Sequence, residues 1–71
     1  MTKTPLTKQQ GKVLAFVREF IRDRGYPPTR KEIADGFGWY PSAAQSHLVL
    51  IQKKGYIKLD SRAGQRNIVV L

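Results

Sequence analysis

The apolar residues of this chain keep one period up to Gly55 and a different one after it. No other feature limits the possible folds as tightly. Before Gly55 the spacing is helical. Val13, Val17, Phe20 and Ile21, joined by Leu14 and Phe16, make one stripe; Ile33, Ala34 and Phe37 make a second; Ala44, Leu48 and Ile51 make a third. After Gly55 the pattern alternates. Residues 56–60 place Ile57 and Leu59 on one face, the polar stretch 61–66 carries the turn signal Ala63-Gly64, and residues 67–71 read as a return strand. Two strands alone are barely stable, so this hairpin must pack on the helices.

Local signals set the helix limits. Thr7 and Gln10 have capping-box spacing, so the first helix starts near Lys8. Gly25 ends it, and Pro27-Pro28 forbid its continuation. Its wetter side carries Arg18 and Arg22, with Glu19 and Asp23 offsetting part of the charge. Thr29 and Glu32 repeat the capping box for a second helix running from about 30 to 36 or 37, and Gly36 and Gly38 bracket its end. Trp39, Tyr40 and Pro41 form a short turn before a third helix over residues 42–54. Either Pro41 is its first residue or Ser42 is its cap, since Ser42 and Gln45 also have capping-box spacing. Residues 1–5 form a loose arm carrying Lys3. The fold class is mainly α (α+β). Three helices and a C-terminal two-stranded β-hairpin form a single domain over residues 1–71, a winged helix-turn-helix.

Composition narrows the partner. Thirteen Lys and Arg against five Asp and Glu give 71 residues a net charge of +8. That balance calls for an anionic partner, nucleic acid before a membrane surface. No apolar run approaches the ~20 residues of a membrane span, and residues 1–7 lack the apolar core of a signal peptide. The absence of cysteine excludes disulfides, thiolate chemistry and cysteine-ligated zinc, and suits a reducing cytoplasm. One histidine and five scattered acids supply no metal cluster, no nucleophile–base pair and no phosphate-cradling glycine loop. The chain is therefore read as a non-enzyme without cofactors.

The third helix carries the candidate site. Its outward face reads Ser42, Gln45, Ser46, Val49 and Gln52, then Lys53 and Lys54, with no acid on the helix. Such a face suits base edges in a DNA major groove. Gln45 can pair bidentately with adenine, Ser42 and Ser46 can reach bases or phosphates, and Ala43 can touch a thymine methyl. Arg62, Gln65 and Arg66 of the hairpin turn are expected at phosphates or in the minor groove. Thr29 and Arg30 open the second helix, where free amides and the dipole favour an anion. Lys53 and Lys54 are phosphate neighbours in this scheme, and Tyr40 donates to a phosphate from the turn. Trp39 belongs with the core, and His47 is a packed or partly exposed histidine and no ligand.

Leu6-Thr7, Gln9-Gln10, Gly25-Tyr-Pro-Pro-Thr-Arg30, Glu32-Ile33-Ala34, Gly38, Ala43-Ala44, His47-Leu48 and Lys54-Gly55 resemble the N-terminal DNA-binding domain of LexA-type repressors. The resemblance runs from Leu6 into the hairpin. It implies a third helix lying in the major groove, a hairpin serving as the wing, and a bacterial or phage-encoded protein of the cytoplasm and nucleoid. The turn before the third helix reads one residue shorter than in the family. Two consecutive acids of well-known members are replaced by Gln45 and Ser46, so the family's operator does not carry over. The family's Ser/Lys protease half, which normally dimerises the protein, has no counterpart in these 71 residues. Ala63-Gly64 matches the self-cleavage dipeptide in letters only. Met1 and Leu71 suit a small whole protein and a repressor fragment equally. The expected function is sequence-specific binding of double-stranded DNA by a LexA-like regulator, a monomer in solution that pairs on two half-sites. The alternative is a winged-helix module that binds RNA polymerase or another regulator, with Tyr40 and Val49 as the only apolar hints of such a face.

Overall fold

The computed structural model describes residues 4–71; the N-terminal arm's Lys3 lies outside them. Helices α1 (Lys8–Arg24), α2 (Arg30–Phe37) and α3 (Pro41–Lys53) precede strands β1 (Ile57–Leu59) and β2 (Ile68–Val70), which a single 3-10 turn, Ser61–Ala63, separates. This is the three-helix, antiparallel-hairpin arrangement of a winged helix-turn-helix.

Both capping boxes form. Thr7 Oγ1 accepts the Gln10 N–H at 3.2 Å, and Gln10 Oε1 accepts the Thr7 N–H at 3.1 Å. At α2 the same exchange joins Thr29 and Glu32 at 3.1 and 2.8 Å. Gly25 closes α1 by donating to the Ile21 carbonyl at 2.7 Å. At the end of α2 Gly38 takes φ 74°, a left-handed conformation that side chains disfavour, and so permits the tight turn into α3.

At α3 the structure decides between the two starts. Pro41 is the first helical residue and Tyr40 precedes it without any side-chain capping bond. Proline suits that position because its missing N–H would lack an intrahelical partner anyway. Ser42 is not the cap. It lies inside the first turn, where its carbonyl accepts the Ser46 hydroxyl at 3.1 Å. The helix therefore runs one residue earlier at both ends than the spacing suggested.

The core lies where α3 meets everything else. Ala44, Leu48 and Ile51 are all 0% exposed, packed with Val13, Leu14, Val17, Ile33, Ala34, Ile57 and Ile68. Fully burying a side chain of this kind stabilises by about 1.5–3 kcal/mol. The hairpin joins this core through Ile57 and Ile68, as its marginal stability requires. Its register pairs Ile57 with Val70, Lys58 with Val69 and Leu59 with Ile68. Beyond the regular strands, Asp60 N–H donates to the Asn67 carbonyl at 2.9 Å and Leu71 N–H to the Tyr56 carbonyl at 3.1 Å. Backbone pairing thus continues one residue past the regular strands at both ends.

Gln52 departs from the expected solvent face. Its Oε1 accepts the Leu59 N–H at 2.6 Å and so stitches α3 to β1.

Candidate nucleic-acid interface

The outward face of α3 presents Ser42, Gln45, Ser46 and Lys53 in the open, with Ala43 and Val49 half-buried beside them. No acid lies on the helix. Tyr40 stands at its start with 83% of its surface exposed, and Leu50, rather than Val49, is the exposed apolar residue of the helix at 44%. Trp39 is half-buried, stacked between Phe37 at 4.5 Å and His47 at 4.7 Å. His47 packs, as expected, but its Nδ1 is buried without a hydrogen-bond partner among the described residues.

The wing projects beside this face. Residues 61–66 are all exposed. Asp60 Oδ1 accepts the Arg62 N–H at 3.0 Å and fixes the 3-10 turn, and Gly64 follows at φ 72°, ψ −142°, a conformation suited to glycine. The Arg62 side chain is 92% exposed, with its Nε 3.8 Å from Asp60 Oδ1.

Arg30 joins the pieces. Its Nε–H donates to Gln45 Oε1 at 2.7 Å, and its Nη1 donates to Asn67 Oδ1 and, at 3.4 Å, to the Gln65 carbonyl. One guanidinium from the first residue of α2 therefore holds α3 and the side of the wing that leads into β2. Partial burial lowers its pKa from the ordinary arginine value, yet a guanidinium remains charged in proteins. Thr29, Arg30, Lys31, Gly64, Gln65 and Asn67 line a shallow depression around it. Lys31 and Asn67 were not anticipated. Asn67 shows in sequence only as the start of a strand.

Two cations expected at phosphates are held within the fold. The Lys54 ammonium turns toward α1, donating to Gln10 Oε1 at 2.6 Å and to the Pro5 carbonyl at 3.1 Å. Arg66 pairs with Glu32 at 2.7 Å, donates to the Pro27 carbonyl at 2.9 Å and lies 4.5 Å over the Tyr26 ring. These contacts pin the wing to α2. Their electrostatic mark is on Glu32: the Arg66 hydrogen bond first, then the Thr29 N–H, lowers its pKa from the ordinary carboxylate value.

Among the described residues no group of three or more His, Cys, Asp and Glu could hold a metal ion, and no helix is long and apolar enough to cross a membrane. What the geometry offers is a neutral-to-cationic helix face flanked by an exposed turn.

Residues 3–65 match the family described as the LexA DNA binding domain. The chain belongs to that family. Among its relatives, the LexA repressor of Thermotoga neapolitana is 53% identical over 53 residues, covering 75% of this chain and 27% of the relative. The LexA repressor of Leptospira interrogans is 51% identical over 53 residues, at 75% and 26%. That of Marinomonas sp. is 49% identical over 61 residues, at 84% and 30%. The chain thus spans between a quarter and a third of the length of these LexA repressors. The matched stretch takes in all three helices, β1 and residues 61–65 of the exposed turn.

Proposed function

We infer that this chain is a sequence-specific binder of double-stranded DNA, the reading module of a LexA-type transcriptional repressor that occupies an operator and excludes polymerase. One observation carries the reading: an exposed, acid-free face of α3 is locked beside the exposed wing by Arg30. The net charge of +8 and the family membership agree with it. In this arrangement α3 enters the major groove, where Gln45, Ser46, Ser42, Ala43 and Val49 face base edges. Lys53, Arg62, Gln65, Tyr40 and the amides opening α2 beside Thr29 meet the backbone or minor groove. Lys54 and Arg66 support the frame and contribute at longer range. A protein-docking face would need a contiguous apolar patch. Among the described residues of α3, only Leu50 is both large, apolar and exposed.

A lone module of this size covers about 600–1,000 Å² of DNA-facing surface. Useful occupancy then comes from two copies on adjacent half-sites, since linking two weak events raises apparent affinity by about 10²–10⁴. The residues 1–71 form a single domain that is monomeric in solution, where like charge keeps copies apart. Selection from random duplexes tests the reading: enrichment of a recurring, paired half-site is expected, and no enrichment over input would contradict it. Sedimentation of the free protein should give a monomer; a stable dimer would refute the assembly part alone.

A further inference from the structure

The chain returning from the wing meets the first turn of α2 by alternate residues. The Gln65 carbonyl and Asn67 Oδ1 both accept from Arg30 Nη1. Arg66, between them, turns instead to Glu32 at 2.7 Å and to the Pro27 carbonyl at 2.9 Å. Two residues of one helical turn, Arg30 and Glu32, thus grip three consecutive residues of the return. Of the two, Arg30 also reaches α3, where its Nε–H donates to Gln45 Oε1 at 2.7 Å.

These bonds leave Gln45 able to read. A guanidinium carries only donors, so the atom that Gln45 turns to Arg30 is its oxygen. That oxygen keeps a second lone pair and the amide keeps its NH2, so adenine remains a possible partner. What Arg30 removes is freedom of orientation. A mobile glutamine and a mobile turn would have to be ordered on the duplex, a cost that a preordered site avoids. Nε and Nη1 leave the guanidinium at a fixed angle, so α3 and the wing are set relative to each other by its planar fork. The single nitrogen of a lysine offers no such fork.

We propose that Arg30 is a positioning residue for DNA recognition: by its fork, and not by its charge, it fixes the wing relative to Gln45 so that both meet one duplex. This rests on the DNA-binding reading above.

Two experiments test it. The first needs no DNA. Backbone 15N relaxation of the free parent should give residues 61–66 order parameters near the rigid value of about 0.85. Arg30→Lys and Arg30→Met should lower them towards about 0.6 while α1 keeps its values. A wing already mobile in the parent, or equally ordered in both variants, would overturn the proposal. Should Arg30→Met fail to fold, Asn67→Ala takes its place, since it removes the acceptor on the wing side of the same clamp.

The second is binding to a selected and a scrambled duplex across a range of salt. Both Arg30 variants should narrow the preference for the selected duplex by about 5- to 150-fold, the effect of leaving two interface groups to be ordered on binding. Both should keep the parent's salt slope. Lys53→Met, which removes a phosphate neighbour, should instead flatten the slope by about 0.9 and weaken both duplexes alike. A slope flattened by Arg30→Met and restored by Arg30→Lys would make Arg30 a phosphate contact and refute the proposal. Unchanged preference in the folded variants would reduce these bonds to structural ones and refute it as well. A parent that binds the two duplexes equally refutes the DNA-binding reading and takes this proposal with it, whereas a parent with clear preference that both variants share refutes only the role of Arg30.

Discussion

Where α1 and α2 begin, a threonine and the residue three positions on exchange hydrogen bonds between side chain and backbone. Where α3 begins, Tyr40 makes no side-chain bond and Pro41 offers no N–H. Each framing helix caps one of its own first-turn N–H groups. The helix on the candidate interface leaves its start open and keeps its polar side chains for other partners. It is held from behind instead, by Ala44, Leu48 and Ile51, each 0% exposed, and by the lateral bonds of Gln45 and Gln52. The buried stripe of the helix thus carries its packing, while Ser42, Gln45, Ser46 and Lys53 on the other side stay exposed.

Breaking the back of α3 should have the largest effect. Leu48→Ala removes a fully buried side chain where all three helices and the hairpin meet. It should cost about 2–5 kcal/mol, read from urea unfolding. For so small a fold that is a large share of the total. A midpoint like the parent's would mean that α3 is not held by its buried stripe.

The contrast between helix starts predicts a smaller, paired result. Thr7→Ala and Thr29→Ala should each cost about 0.5–2 kcal/mol by opening a cap. Ser42→Ala should stay within about 0.5 kcal/mol, because Ser42 caps nothing. Equal losses at all three positions would show that α3 is capped in solution as the other helices are.

The smallest expected effect separates frame from face by pH. Glu32 has a lowered pKa through Arg66 and then Thr29. A carboxyl with a depressed folded pKa stabilises fully above the ordinary carboxylate range and loses that contribution as pH falls through its folded value. Thermal midpoints should therefore drop at acid pH in the parent, and drop less between neutral and acid pH in Glu32→Gln. Identical pH profiles would remove the Arg66–Glu32 pair as an anchor of the wing.

The parts of this architecture visible in sequence are those written at short range. Capping boxes span three residues, Gly25 and Gly38 act at the adjoining turn, and the buried stripe of α3 repeats every three or four positions. Even there, Pro41 and Ser42 competed for one helix start; the helix begins at Pro41, and Gln45 bonds to Arg30 rather than to its own helix end. The site's wiring is long-range. Lys54 meets Gln10 across 44 positions, Arg30 meets Asn67 across 37, and Arg66 meets Glu32 across 34. Nothing in charge or periodicity says which surface cation finds an internal acceptor. That is why Lys54 and Arg66 looked as available for phosphates as Lys53 and Arg62, and why Gln52 looked solvent-facing.

The central claim is that the open face of α3 and the wing together bind duplex DNA. Its most direct test is equilibrium binding to a selected duplex and to a scrambled one across a range of salt concentrations. With Lys53, Arg62 and the start of α2 neutralising about three phosphates, log K should fall against log salt with a slope of about −2.7 on both duplexes. The selected duplex should bind more tightly throughout, because base contacts are largely insensitive to counterions. Affinity that ignores salt, or that is equal on the two duplexes at every salt concentration, would contradict the account.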